Sequence, residues 1–384
     1  MNTLQQIFID HYEQTMILLN PRPAVVENID RMIHCGDPDY GCAIYACKSC
    51  GNVKFIPFHC RSRFCPTCGN FYAIQRSASV SLKLVRCRHR HLVFTISQEI
   101  RHFFLEDREL LNLLFQSVKE VIFEMFHKIN RSEQFTPGFV CVLHTFGRSL
   151  QWNPHIHVLI TEGAAGNNET WRKIKFFPYP FLREAFRTVL LRKMKEQLGD
   201  SFKPDVSASY KNQEKGFYVY AKPSDASPLQ TIKYISRYLG RPVIATSRID
   251  HYDGESVTFH YNRHEDNEYV EETLPVLDFI KRLIIHIPEK HFKMIRYYGI
   301  YAKHHKQEPE LHKVVKPELK ELFLSWYKWR ALMLTCFQVD PIKCHVCGKT
   351  MSLMQIRFNK QKETLAEHYR KVMHKPPDWT SMFA

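Results

Sequence analysis

The chain has 384 residues, 44% of them hydrophobic, and no apolar run approaches the ~18 residues that a membrane-spanning helix needs. Lysine and arginine outnumber aspartate and glutamate 54 to 39, for a net charge of +15. Global disorder is excluded, and the charge favours a polyanionic partner held through phosphate contacts without separating DNA, RNA and anionic membrane.

The N-terminus has no basic region followed by an apolar run, so no export signal is read and an intracellular, cytoplasmic protein with no membrane partner is expected. Residues 1–33 carry Ile7, Tyr12, Met16 and Leu19 at roughly helical spacing, broken by Pro21 and Pro23. Seven of the 12 cysteines follow, between Cys35 and Cys68. Without an export signal, such clustered pairs read as metal ligands rather than disulfides. Cys47 and Cys50 form one CxxC, Cys65 and Cys68 a second, and each is followed by a glycine, Gly51 or Gly69, suited to the tight turn of a zinc knuckle. The spacing predicts one structural zinc on Cys47, Cys50, Cys65 and Cys68. Cys35, Cys42, Cys60, His34 and His59 are left as candidate ligands of a second.

A helix is predicted over 71–86, a buried strand over 91–96 and a long amphipathic helix over 104–130. GFVCVLHTF (138–146) and HIHVLIT (155–161) read as two strands joined by a polar loop. On a strand, residues i and i+2 share a face, so His155 and His157 can bind one metal while Ile156 faces the core. A hairpin with its tip near 150–151 sets His144 opposite His157 and completes a three-histidine patch. His91 competes with His144 for the third place. Further on, helices are predicted over 178–199 and 275–298 and strands over 218–222 and 257–263.

Residues 228–239 form a well-bounded helix: Ser227 caps it, Pro228 takes the first turn, and Gly240 and Pro242 end it. Tyr234 and Tyr238 are i and i+4 on one side, among Lys233, Arg237 and Arg241. A late CxxC, Cys344 and Cys347, follows a basic and aromatic stretch, and its role stays open. Strands and helices mix without βαβ alternation, so the fold class is α+β with an antiparallel sheet. Three regions are expected: 1–86 helical and zinc-binding, 87–305 catalytic, and 306–384 a basic C-terminal region.

Taken in order, CRSRFCPTCG, HLVFTIS, LHTFGRSLQWNPHIHVLIT, YISRYLGRP, VTFHYNRH and MIRYYGIYA resemble the two-tyrosine, rolling-circle insertion-sequence transposases, members of the His-hydrophobe-His (HUH) nucleases. The similarity spans roughly residues 34 to 305, and the later CHVCG has a counterpart there. Phe64 departs from the pattern, standing where many relatives would have His. The resemblance implies an HUH nuclease core with Mg²⁺ or Mn²⁺ on His155, His157 and a third group. It implies a tyrosine that attacks the scissile phosphate of single-stranded DNA at transposon ends and target. It also implies a host helicase as partner, since no GxxxxGK[ST] motif is present, and work at the bacterial nucleoid. Tyr238, beside Arg237 and Arg241, is expected to act first and Tyr234 second. Lys293, Arg296, Tyr297, Tyr298 and Lys303 are expected to bind DNA. Two rivals share these residues: a non-catalytic zinc-dependent DNA-binding regulator, and a metallohydrolase with zinc on three histidines.

Overall fold

The computed structural model describes residues 2–129, 135–166, 171–174, 176–222, 242–263, 266–303 and 317–358, with Lys313, Val315 and residues 361–363. The expected helix over 228–239, and with it Lys233, Tyr234, Arg237, Tyr238 and Arg241, lies outside these residues.

The chain opens with α1 (Thr3–Asp10), α2 (Tyr12–Leu19) and α3 (Pro23–Ile33). Asn2 and Gln5 form a reciprocal capping box at the start of α1, and Pro23 begins α3 where no N–H is needed. Then come β1 (Gly41–Ala46), β2 (Val53–Pro57), α4 (Pro66–Lys83), β3 (His89–Thr95), α5 (Phe103–Glu106) and α6 (Leu111–Ile129). The central stretch holds β4 (Thr136–Phe146), β5 (Trp152–Ala165), β6 (Trp171–Lys173), α7 (Tyr179–Leu198), α8 (Lys203–Asn212) and β7 (Tyr218–Lys222). β8 (Ile249–Tyr252), β9 (Ser256–Asn262), β10 (Tyr269–Pro275), α9 (Val276–Ile284) and β11 (Ile295–Gly299) follow. The described chain ends with α10 (Pro317–Ser325), α11 (Trp329–Phe337), β12 (Ser352–Phe358) and β13 (Gln361–Glu363). Helices and antiparallel sheets are mixed, as an α+β fold requires. The helix expected over 275–298 is instead α9 followed by β11. Pro288 accounts for the break, since the residue before a proline is pushed out of helical geometry.

The central sheet has the order β11-β4-β5-β3-β7, with β6 beside β5. Alternation along β5 sends Ile156, Val158 and Ile160 to one face, where α6 and α7 cover them with Leu114, Val118, Val121, Ile122, Phe186 and Leu190. The opposite face is split. Val140, Val142 and Leu159 are covered by Val80 of α4, by Leu84 just past its end, and by Ile300 and Tyr301. The continuation of the same rows carries the histidines, and it is the half that α4 leaves open.

A second body joins distant parts of the chain. Leu4, Ile7, Phe8, Val25 and Ile29 of the first helices share a core with Val257, Phe259, Phe279, Ile280 and Leu283. Phe64 belongs to this core, 6% exposed, with its ring edge-on to Phe8 at 5.5 Å. The unexpected phenylalanine is thus a packing residue. This body grips the loop between β4 and β5. Arg248 donates to the Arg148 carbonyl at 2.7 Å, Arg282 to Ser149 at 3.3 Å, and His286 Nε2 to Leu150 at 2.8 Å.

A third sheet, β13-β12-β1-β2, pairs β1 with β12 from Gly41 opposite Phe358 to Ala46 opposite Ser352. Division of the chain at residues 86 and 305 therefore does not follow the packing: both the second body and this sheet combine early and late residues.

Two buried histidines, His89 and His286, are expected to make the fold acid-sensitive. His89 accepts from Tyr301 Oη at 2.6 Å and donates to the Cys87 carbonyl at 3.0 Å. His286 likewise accepts from Thr145 Oγ1 at 3.1 Å while donating to Leu150. Both rings suit the neutral form, and burial lowers each from the ordinary 6.5 to about 4. Between those values the unfolded chain binds more protons than the folded one. Stability is then fully present above pH ~6.5 and falls as pH drops towards ~4. Each ring is expected to cost roughly 2 to 3 kcal/mol between pH 7 and pH 4.5. Urea midpoints over that range check this, and His286→Gln should flatten part of the slope; parallel curves for parent and variant would contradict it.

Candidate active site

His144, His155 and His157 lie on one face of the β4–β5 hairpin, with one ring nitrogen from each within 4.8 Å of the others. The expected register is corrected here: His144 pairs with His155, and Val142 with His157. The loop between the strands holds Leu150 in left-handed backbone at φ +65°, and a bulge lies between His144 and Phe146. The shift is two residues, an even number, so all three side chains stay on the same face.

The rings are oriented from behind. His155 Nδ1 donates to the Asn153 carbonyl at 2.6 Å, which turns the lone pair of Nε2 towards His157 Nε2, 3.1 Å away. His157 Nδ1 lies 2.9 Å from His91 Nε2, and the two rings stack at 5.1 Å. If His157 presents Nε2 to a metal, its Nδ1 carries the proton and His91 accepts it. Burial holds His91 and His155 down at about 4, so both are neutral near pH 7. Metal–nitrogen bonds are about 2.0–2.1 Å, and that short nitrogen–nitrogen separation fits a shared cation.

The cluster opens onto a cavity of about 440 Å³ whose walls include Thr95, Arg148, Tyr218, Tyr220 and Arg248. Sequence reading missed these residues. The signal for the tyrosines was present as Tyr218-Val219-Tyr220: Val219 is buried, so both rings share the other face of β7.

The cysteines form two clusters, and neither is the expected set. Cys35, Cys60, Cys65 and Cys68 are one; Cys47, Cys50, Cys344 and Cys347 are the other. Sulfur separations are 3.6 Å for Cys35–Cys68, 3.5 Å for Cys60–Cys68, 3.4 Å for Cys47–Cys347 and 3.6 Å for Cys50–Cys344. A tetrahedron with ~2.3 Å zinc–sulfur bonds has edges of about 3.8 Å, whereas a disulfide is about 2.05 Å. Four-sulfur zinc shells therefore fit, and disulfides do not.

The two CxxC turns of the second cluster are alike. Gly51 and Gly348 take φ +72° and +73°, and donate to the Cys47 and Cys344 carbonyls at 2.9 and 3.0 Å. Backbone N–H groups aimed at the sulfurs lower the Cys47 thiol, chiefly from Ser49, and the Cys344 thiol to about 6, chiefly from Cys347. Gly69 is different: it sits inside α4, where its N–H donates to Cys65. Three other candidates stand outside both clusters. Cys42 is buried on β1, His34 stacks on Tyr40 at 4.5 Å, and His59 reaches Cys35 Sγ only at 3.7 Å.

The expected DNA contacts of β11 are half-buried. Arg296 lies over the Phe115 ring at 4.0 Å and bonds to Asn112, Tyr298 stacks on Phe139 at 5.0 Å, and Tyr297 holds Lys83 over its ring at 4.5 Å. These groups pack at the sheet edge opposite β7. Lys293 and Lys303 are exposed.

Two family models match successive parts of the chain. A family model described as "Transposase zinc-binding domain" matches residues 5–96, and one described as "Putative transposase" matches residues 138–309. The chain is 29% identical over 353 residues to a "Transposase for insertion sequence element IS801" of Pseudomonas savastanoi pv. phaseolicola, covering 86% of this chain and 83% of that one. It is 27% identical over 296 residues to a "Putative transposase y4qJ" of Sinorhizobium fredii, covering 71% and 73%. No solved structure matches. A zinc-binding model thus lies over the first cysteine cluster and a transposase model over the strands that carry the histidines, and over most of its length the chain is similar to insertion-sequence transposases.

Proposed function

We propose that this transposase nicks and rejoins single-stranded DNA at insertion-sequence ends by metal-assisted tyrosine transesterification. The observation that carries the reading is the open three-histidine face of β4 and β5. His144, His155 and His157 would hold the divalent cation, with His91 positioning His157. A cation bound there supplies Lewis acidity to the scissile phosphate. Three imidazoles without a carboxylate suit Mn²⁺ better than Mg²⁺. A tyrosine hydroxyl attacks phosphorus: the Tyr O–P bond forms, the P–O3′ bond breaks, and the 3′-oxygen leaves with a proton as a free hydroxyl. One phosphodiester replaces another, so rejoining needs no nucleotide triphosphate. Tyr238 would make the first nick and Tyr234 receive the second strand. The two cysteine clusters would each hold one structural zinc.

The same three histidines also suit zinc and an activated water, which gives a hydrolase as the second reading. It needs no tyrosine and leaves no covalent complex.

On a denaturing gel, protein incubated with labelled single-stranded end DNA and Mn²⁺ is expected to form a covalent adduct. His157→Ala should lower cleavage by roughly 10³-fold while DNA binding persists. Tyr238→Phe should lose the first adduct, and Tyr234→Phe should nick without completing transfer. Cleavage that survives in a Tyr234→Phe, Tyr238→Phe double variant would instead support the hydrolase.

His91→Ala is expected to weaken metal affinity by about 10- to 100-fold, with activity recovering at raised Mn²⁺. Loss that excess metal does not restore would rule out the positioning role. Elemental analysis after dialysis should find about two zinc ions per chain, one for each four-sulfur shell. Cys344→Ser should remove one of them and leave the other, and unchanged zinc content would contradict the second cluster.

A further inference from the structure

The exposed edge of the central sheet carries two large aromatic side chains that the core does not use. Tyr218 and Tyr220 are 52% and 45% exposed, on the strand that ends the sheet among the described residues. Their rings are nearly parallel, at 7°, with centroids 6.4 Å apart. That spacing is close to twice the ~3.4 Å rise between stacked bases. Register ties them to the histidines. Tyr218, Thr95 and His155 form one row across β7, β3 and β5, and Tyr220, Val93 and His157 form the next. Two strand spacings set each tyrosine backbone about 10 Å from its histidine, on the same face. The side chains between them, Thr95 and Val93, are small. Arg183 lies 5.7 Å from the Tyr218 ring, and Arg148 and Arg248 stand on the cavity wall, so the surroundings are cationic.

We infer that Tyr218 and Tyr220 form a base-stacking step that seats the nucleotides next to the scissile phosphate. The inference rests on the reading that single-stranded DNA occupies the histidine cavity. A duplex has no unstacked base to offer, so the step selects single strands. Flat rings are indifferent to base identity, so sequence recognition at the ends falls to other parts of the chain. The hydroxyls have no part in this role, and that separates it from nucleophilic attack.

The test uses the full chain without added Mn²⁺ or Mg²⁺, and a single-stranded oligothymidylate carrying one internal 2-aminopurine. Binding should quench the fluorescence. Tyr218→Ala and Tyr220→Ala should each weaken binding roughly tenfold and relieve the quenching. Tyr218→Phe and Tyr220→Phe keep the rings and should recover most of both. Binding of the same sequence as a duplex should not respond to the alanine changes. Zinc content equal to the parent's keeps misfolding out of the comparison. If the parent protein did not bind the single strand, both the proposed function and this inference would fall. If it bound and the alanine variants bound equally well with equal quenching, the stacking step alone would be overturned. Phenylalanine variants as weak as the alanine ones would overturn it too, because the hydroxyls and not the ring faces would then be responsible.

Discussion

The pairing of His144 with His155 across β4 and β5 is the contact on which the site depends. A slip of one residue would turn one strand's histidines into the α6–α7 core and bring apolar side chains to the open face. Hydrophobic alternation guards against that slip but not against a slip of two. The loop supplies the rest. Three successive carbonyls, of Arg148, Ser149 and Leu150, accept from Arg248, Arg282 and His286 of the second body, and the Leu150 side chain is buried in that body's core. The hairpin's register is therefore held from outside the hairpin. The N-terminal helices act on the histidines through the same body, although they lie far from them in sequence.

α4 serves two places at once. Its N-cap Cys65 and first-turn Cys68 belong to one cysteine cluster, and Val80 in its last turn and its C-cap Leu84 pack against the histidine face. Eighteen residues of helix span about 27 Å. By stopping at Lys83 the helix covers Val140, Val142 and Leu159 and leaves the histidine rows open. The size of the opening is thus set by where one helix ends.

What the sequence reveals and conceals follows from the range of each signal. Period-two and helical patterns are local, and they locate β3, β4, β5, β7, α6 and α7. The joint between α9 and β11 was missed because basic and aromatic residues there fit either period, while Pro288 alone marked the break. The register was misplaced by two because turn length was counted without the left-handed Leu150 and the bulge. CxxC spacing identifies pairs of sulfurs, but which pairs meet is decided by sheet topology. Only the pairing of β1 with β12 brings Cys344 and Cys347 to Cys47 and Cys50. Tyr297 and Tyr298 read as DNA contacts from composition, yet alternation on β11 directs them into two packing layers. The nucleophile assignment to Tyr234 and Tyr238 rests on the sequence alone, since that helix is outside the described residues.

The second cysteine cluster has a consequence for how the molecule is made. Cys47 and Cys347 are separated by 300 positions, and Cys50 and Cys344 by 294. A ribosome adding about 5–20 residues per second needs roughly 15–60 seconds to travel that far. Throughout that interval Cys47 and Cys50 are a two-sulfur half-site on a growing chain, while the first cluster already has all four of its cysteines. The β1–β2 hairpin must wait for β12 before its sheet is complete, so this corner closes only after β12 has been made. A chain that stops short of Cys344 can have its histidines, its central sheet and its first cluster, but not the tetrathiolate corner. The corner thus registers whether synthesis has run past the central sheet to Cys347.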